Sequence, residues 1–163
     1  MQKLTVIAAL VVGAFLATSC SDTDARMTAT GPTTLAMEPA SFNVVQSPLS
    51  PKPAPFGFCP AFPPATVVVG LSVSAGSLSL AIVQIDLQFV DTSGIRMPQV
   101  TLPAPVLTTQ FGSALVAARQ TRLFPLSLGL GCGFGQSGTI TAVIITRDQN
   151  GAMNTGQVTV IVR

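Results

Sequence analysis

Apolar side chains in this chain recur at every second position rather than every third or fourth, and that spacing commits most of it to β-structure. In Ala81 to Asp91, Val83, Ile85, Leu87 and Phe89 alternate with Gln84, Asp86 and Gln88. A strand sends successive side chains to opposite faces, so a period of two marks a strand with one face on a core. In Thr66 to Ser74, Val67, Val69, Leu71 and Val73 share one face. Near the end of the chain, Ile140, Ala142 and Ile144 alternate within Thr139 to Arg147, as do Val158, Val160 and Val162 within Gln157 to Arg163.

Weaker signals fill in the rest. Phe42 to Gln46 reads as a first edge strand, and Arg119 to Leu128 as a strand interrupted by Pro125. Val100 to Leu107 reads as a strand that Pro103 and Pro105 confine to a sheet edge, because proline cannot donate to a ladder. Ser113 to Ala118 fits a helical turn capped by Ser113 or a strand equally well. No extended helical pattern appears after residue 20.

Turn chemistry sets the register of the closing hairpin. Asp148-Gln149-Asn150-Gly151 separates its two strands. A two-residue loop at Asn150-Gly151 would scatter the apolar stripes over both faces. A three-residue loop, Gln149 to Gly151 with Gly151 left-handed, sets Ala142 opposite Val158 and Ile140 opposite Val160, which gathers them on one face. That register leaves Val143, Ile145 and Ile161 on the opposite face. Cover from the N-terminal segment or the proline-rich crossing would hide them; without cover they form an apolar patch for a partner. Asp91-Thr92-Ser93-Gly94 is a second turn.

Composition removes several functions. The chain has no His, Trp or Tyr and six carboxylates: Asp22, Asp24, Glu38, Asp86, Asp91 and Asp148. Without His the usual general base and the commonest metal ligand are missing, so His-activated Ser or Cys chemistry is excluded. No enzyme activity, cofactor or metal is expected. Asp148 and Asn150 alone cannot complete a calcium cage. Gly129 to Gly135 has the glycine content of a phosphate loop, but SGTITAVIIT follows it as strand, not helix. The net charge of +2 falls to about +1 without Lys3, so nothing favours nucleic acid.

The first twenty residues point to export. Lys3 supplies a positive start, and Leu4 to Leu16 is an apolar run of 13 residues. That falls short of the roughly 20 needed to span a bilayer. Ala17-Thr18-Ser19-Cys20 resembles the lipobox of bacterial lipoproteins, with Ala17 where Leu is usual. The resemblance implies lipidation of Cys20 and a membrane anchor, with Ser21 after it favouring the outer membrane. Ala17 to Ser19 also fits an ordinary small-x-small cleavage site, which leaves secreted or periplasmic protein as the alternative.

The domain expectation is a signal at 1–19, a tether at 20–41 and a sandwich at 42–163. The sandwich includes a crossing segment at 47–64 with seven prolines from Pro48 to Pro64. Of three cysteines, lipidation of Cys20 leaves Cys59 and Cys132 as a candidate disulfide; two buried thiols are the alternative.

Short strands, turns about every ten residues and a cysteine pair across the middle resemble an immunoglobulin-like antiparallel β-sandwich of about seven strands. The stretch GTITAVIITRDQNGAMNTGQVTVIV is similar to the closing hairpin of bacterial immunoglobulin-like and fibronectin-III-like surface domains. The resemblance implies a structural, adhesive or protein-binding role in the cell envelope and carries over no catalytic residue. The competing expectation is a small carrier for an apolar ligand.

Overall fold

The computed structural model describes residues 37–54 and 64–163. Nine strands and one helix are present among them. β1 (Ser41–Val44), β2 (Lys52–Pro53), β3 (Ala65–Ser74) and β7 (Thr121–Leu130) form one sheet. β4 (Leu80–Asp91), β5 (Val100–Pro103), β6 (Leu115–Val116), β8 (Gly138–Asp148) and β9 (Met153–Val162) form the other. All the pairings between named strands are antiparallel. The fold is therefore all-β, with two sheets enclosing one core.

That core follows from the alternation. Val67, Val69, Leu71 and Val73 of β3 are fully buried, as are Ile85, Leu87 and Phe89 of β4 and Ile140 and Ile144 of β8. Each such side chain stabilises the fold by about 1.5–3 kcal/mol relative to exposure. Val83 does not share the face expected for it. The register of β4 against β8 shifts between Ile82 and Gln84, so Val83 is the extra residue of a bulge. The bulge flips the parity: Leu80 and Ile82 face the core before it, and Ile85 onward after it.

The hairpin of β8 and β9 has the three-residue-loop register, with Ala142 opposite Val158 and Ile140 opposite Val160. Gly151 takes φ +85°, open to glycine and costly for other residues. The Asp148 carboxylate closes the turn, its Oδ1 accepting the N–H groups of Asn150 (2.8 Å) and Ala152 (2.9 Å).

Val100 to Leu107 is not one strand. β5 ends at Pro103, and α1 (Ala104–Phe111) follows, with Pro103 at the N-cap. Proline fits the first turn of a helix, where its missing N–H has no partner to lose, so Pro105 helps start α1. Gly112 ends it in a left-handed conformation, its N–H donating to the Thr108 carbonyl at 2.8 Å. In Ser113 to Ala118 the strand alternative holds only for Leu115–Val116. Pro125 is accommodated because β7 is an edge strand, paired only with β3 among the described residues.

The two sheets are tied together by the chain after β1. Leu49 runs parallel to the end of β9, its N–H donating to the Ile161 carbonyl (2.8 Å) and its carbonyl accepting from Arg163 (2.9 Å). The chain then returns to the first sheet as β2. Before β1, Glu38 and Ser77 exchange hydrogen bonds of 2.8 and 3.0 Å.

Candidate functional site

Cys20 and Cys59 lie outside the described residues. Cys132 lies in the β7–β8 connection, two residues beyond Leu130. Leu130 pairs with Ala65, and the Ala54 N–H donates to the Pro64 carbonyl at 2.9 Å. Ala54, Pro64 and the start of the β7–β8 connection therefore share one end of the first sheet.

Val143, Ile145 and Ile161 do face outward from the second sheet, but they do not form one patch. Val143 and Ile145 are half-buried, while Ile161 is exposed. Ile161 pairs with Thr139, four residues along β8 from Val143, which is about 13 Å at strand rise. Polar neighbours fill the interval: Thr141 opposite Thr159, and Asp86 opposite Val143. Asp86 accepts hydrogen bonds from Gln84 (2.9 and 2.8 Å) and from Thr101 (2.7 Å), so this face is a polar lattice with isolated aliphatics.

The outer face of the first sheet, which sequence reasoning passed over, carries three exposed aliphatics on a surface otherwise made of Ser, Thr, Asn, Gly and Pro. Val45 is 65% exposed, Leu123 52% and Val68 46%. Register sets each against a small residue: Leu123 opposite Ser72, Val68 opposite Ser127, and Val45 beside Gly70, its N–H donating to the Gly70 carbonyl at 2.9 Å. Gly70 forms a depression between two of them. A Cβ placed there would meet Val45 at 3.6 Å and Leu123 at 3.8 Å, ordinary contact distances. Every outward residue of β1, β3 and β7 is uncharged; Lys52 of β2, opposite Thr66, brings one charge to an end of the face. The signal was in the sequence: the off-core positions of Thr66 to Ser74 are Thr, Val, Gly, Ser and Ser, without the charges that mark a solvated face.

The remaining polar features support the structure itself. Asp91 is buried, and its carboxylate accepts the N–H groups of Ser93 (2.9 Å), Ile95 (2.8 Å) and Gly135 (3.3 Å). Burial alone pushes its pKa up; the backbone donors at Ile95, Gly135, Ser93 and Gly94 outweigh this and hold it below 3.8. Asp91 thus closes its own turn and ties it to the β7–β8 connection. Arg122 donates to the carbonyls of Phe111 and Leu115 and lies 5.2 Å from the centre of the Phe124 ring. It fastens the C-terminal end of α1 to β7, where a cation complements the helix dipole.

A pocket of about 300 Å³ opens at one end of the sandwich, lined by Met37, Glu38, Phe42, Leu78, Leu80 and Asp148 among others. No group of three or more His, Cys, Asp or Glu that could hold a metal occurs among the described residues. No helix among them is long and apolar enough to cross a membrane.

No protein-family model and no curated protein matches the sequence. Solved structures do resemble the fold. The Northeast Structural Genomics Consortium target SoR45 aligns with 76% of this chain and 81% of its own, at a TM-score of 0.52 and 9% identity. A Bordetella pertussis protein provisionally assigned as ApaA aligns with 77% of this chain and 97% of its own, at a TM-score of 0.51 and 13% identity. At such identities the likeness is one of fold alone.

Proposed function

We propose that the chain is a non-enzymatic cell-envelope lipoprotein. It holds an immunoglobulin-like sandwich on a tether from lipidated Cys20, in the outer membrane, and serves a structural, adhesive or protein-binding role. The observation that carries the binding role is the uncharged outer face of the first sheet, where Val45, Val68 and Leu123 stay exposed around Gly70. Aliphatic side chains left exposed on a sheet face without charge suit a contact with a partner. The lipid anchor rests on the apolar run before Cys20 and on its lipobox-like spacing.

The immunoglobulin-like assignment is supported by strand adjacency. β1 and β7 flank β3 in one sheet, and the other runs β5-β4-β8-β9. These adjacencies correspond to strands A, B and E against C′, C, F and G of that fold. We also propose that Cys132 pairs with Cys59. Supporting this, Ala54 and Pro64, which flank the segment carrying Cys59, lie at the end of the sheet where Leu130 leads into the connection that carries Cys132.

A carrier for an apolar ligand is the second reading, and the end pocket favours it. At about 300 Å³ that pocket lies at the lower limit of small-molecule sites. Native mass spectrometry separates the two readings, since a carrier retains a bound small molecule.

The test of the lipoprotein reading is metabolic labelling with a fatty acid, comparing the native chain with Cys20→Ser. Label and membrane fractionation should both disappear in the variant. Retention of both would overturn the anchor.

A further inference from the structure

We infer that the β8–β9 turn is a self-modification site: Asn150 deamidates through the backbone nitrogen of Gly151, and Asp148 holds the reaction back. In this reaction the Gly151 nitrogen gives up its proton to water and attacks the side-chain amide carbon of Asn150. The new N–C bond forms as the bond to Nδ2 breaks, and ammonia leaves. Water then opens the five-membered imide at either carbonyl, giving an aspartate or an isoaspartate at position 150. The attack needs room at the following nitrogen. Of the three asparagines, Asn43 and Asn154 are followed by Val44 and Thr155, β-branched residues that crowd their own nitrogen and lie within β1 and β9. Asn150 alone precedes a glycine, and both residues lie exposed in the turn. Nothing stands within 4 Å of where a Cβ on Gly151 would be.

The folded turn holds that nitrogen away from the reaction. The Gly151 N–H donates to the Asp148 carbonyl at 3.0 Å, a bond that must break before its nitrogen can attack. Asp148 Oδ1 accepts the N–H groups of Asn150 (2.8 Å) and Ala152 (2.9 Å), which pins the peptide before Asn150 and the one after Gly151. The Asp148 N–H in turn donates to the Ala152 carbonyl at 3.0 Å. Bringing the Asn150 amide carbon onto the Gly151 nitrogen requires the peptide between them to rotate, and these bonds resist the rotation. Asp148 takes part in every one of them and is the positioning residue. Modification sets a second carboxylate beside that of Asp148, and the isoaspartate product lengthens the main chain of the loop by one carbon. Both changes work against the three-residue loop. The inference is independent of the lipid anchor and of the binding role.

Peptide mapping by mass spectrometry, on the purified full chain kept folded at neutral pH, tests it. Conversion of amide to acid should appear at Asn150 and not at Asn43 or Asn154 over the same time. The native rate at Asn150 should be several-fold below that of a synthetic peptide spanning 147–153, which is too short to hold the hairpin. Asp148→Ala in the full chain should raise the rate to that of the peptide, whereas the same change in the peptide should leave its rate as it was. Asp148→Asn, whose amide oxygen still accepts both N–H groups, should keep the native rate. A native chain that converts as fast as the peptide overturns the inference, as does an Asp148→Ala chain no faster than the native one. An Asp148→Asn chain as fast as Asp148→Ala, or conversion that starts at Asn43 or Asn154, overturns it too.

Discussion

The Phe42 ring lies directly over Gly156, so that a strand of one sheet rests on bare backbone of the other. A Cβ at position 156 would fall inside the ring's own volume. Gly156→Ala should therefore lower stability by about 1–3 kcal/mol, as overpacking does. Combined with Phe42→Ala it should cost less than the sum of the single changes, with a coupling of about 0.5–3 kcal/mol. Denaturant melts of the four proteins measure this; strict additivity would separate the two residues.

The β8 register makes a sharp contrast between neighbours. Ile144 is fully buried, while Val143 faces outward and is half-buried. Ile144→Ala should cost about 2–5 kcal/mol, as deletions from a packed core do. Val143→Ala should cost under about 1 kcal/mol. A reversed order in urea melts would mean that the register is shifted by one residue.

How far the sequence disclosed this depended on which force decided each segment. Where burial decided, the alternation was enough: β3 and the β8–β9 hairpin follow it residue for residue, because a shift of one would expose an entire core stripe. Backbone chemistry was harder to read. Val83 fits the alternation perfectly, and nothing in its side chain marks the bulge that removes it from the core. Pro103 and Pro105 were legible as strand breakers, yet with Gly112 they also outline a helix, proline at its start and glycine at its end. Only Leu107 of α1 is buried, so no helical stripe announced it. The exposed face around Gly70 was missed for a related reason: periodicity locates the core and is silent about the outside.

Asp91 gives the fold a dependence on acid. Its folded pKa is held below 3.8, so the stabilisation is complete above the unfolded value and is lost as pH falls through the lower folded one. Asp91→Asn should melt below the native protein at neutral pH, and the gap should narrow once pH drops under about 4. Melting curves between about pH 7 and pH 2 would show this; a gap constant across the range would remove the carboxylate's charge from the account.

Pairing of Cys59 with Cys132 would close a long loop and stabilise the fold by roughly 4 kcal/mol on the chain-entropy model. Peptide mapping without reduction should recover the two cysteines in one linked pair of peptides, and reductant should lower the melting temperature. Finding both thiols open to alkylation in the native protein would contradict the pairing.

The central claim is that the sandwich hangs from a lipid at Cys20, and the mass of the mature protein tests it most directly. Protein purified from membranes should have an intact mass corresponding to a chain that begins at Cys20 and carries a diacylglyceryl group on its sulfur. A mature chain that begins at Cys20 or Ser21 without lipid, or one that still begins at Met1, would contradict it.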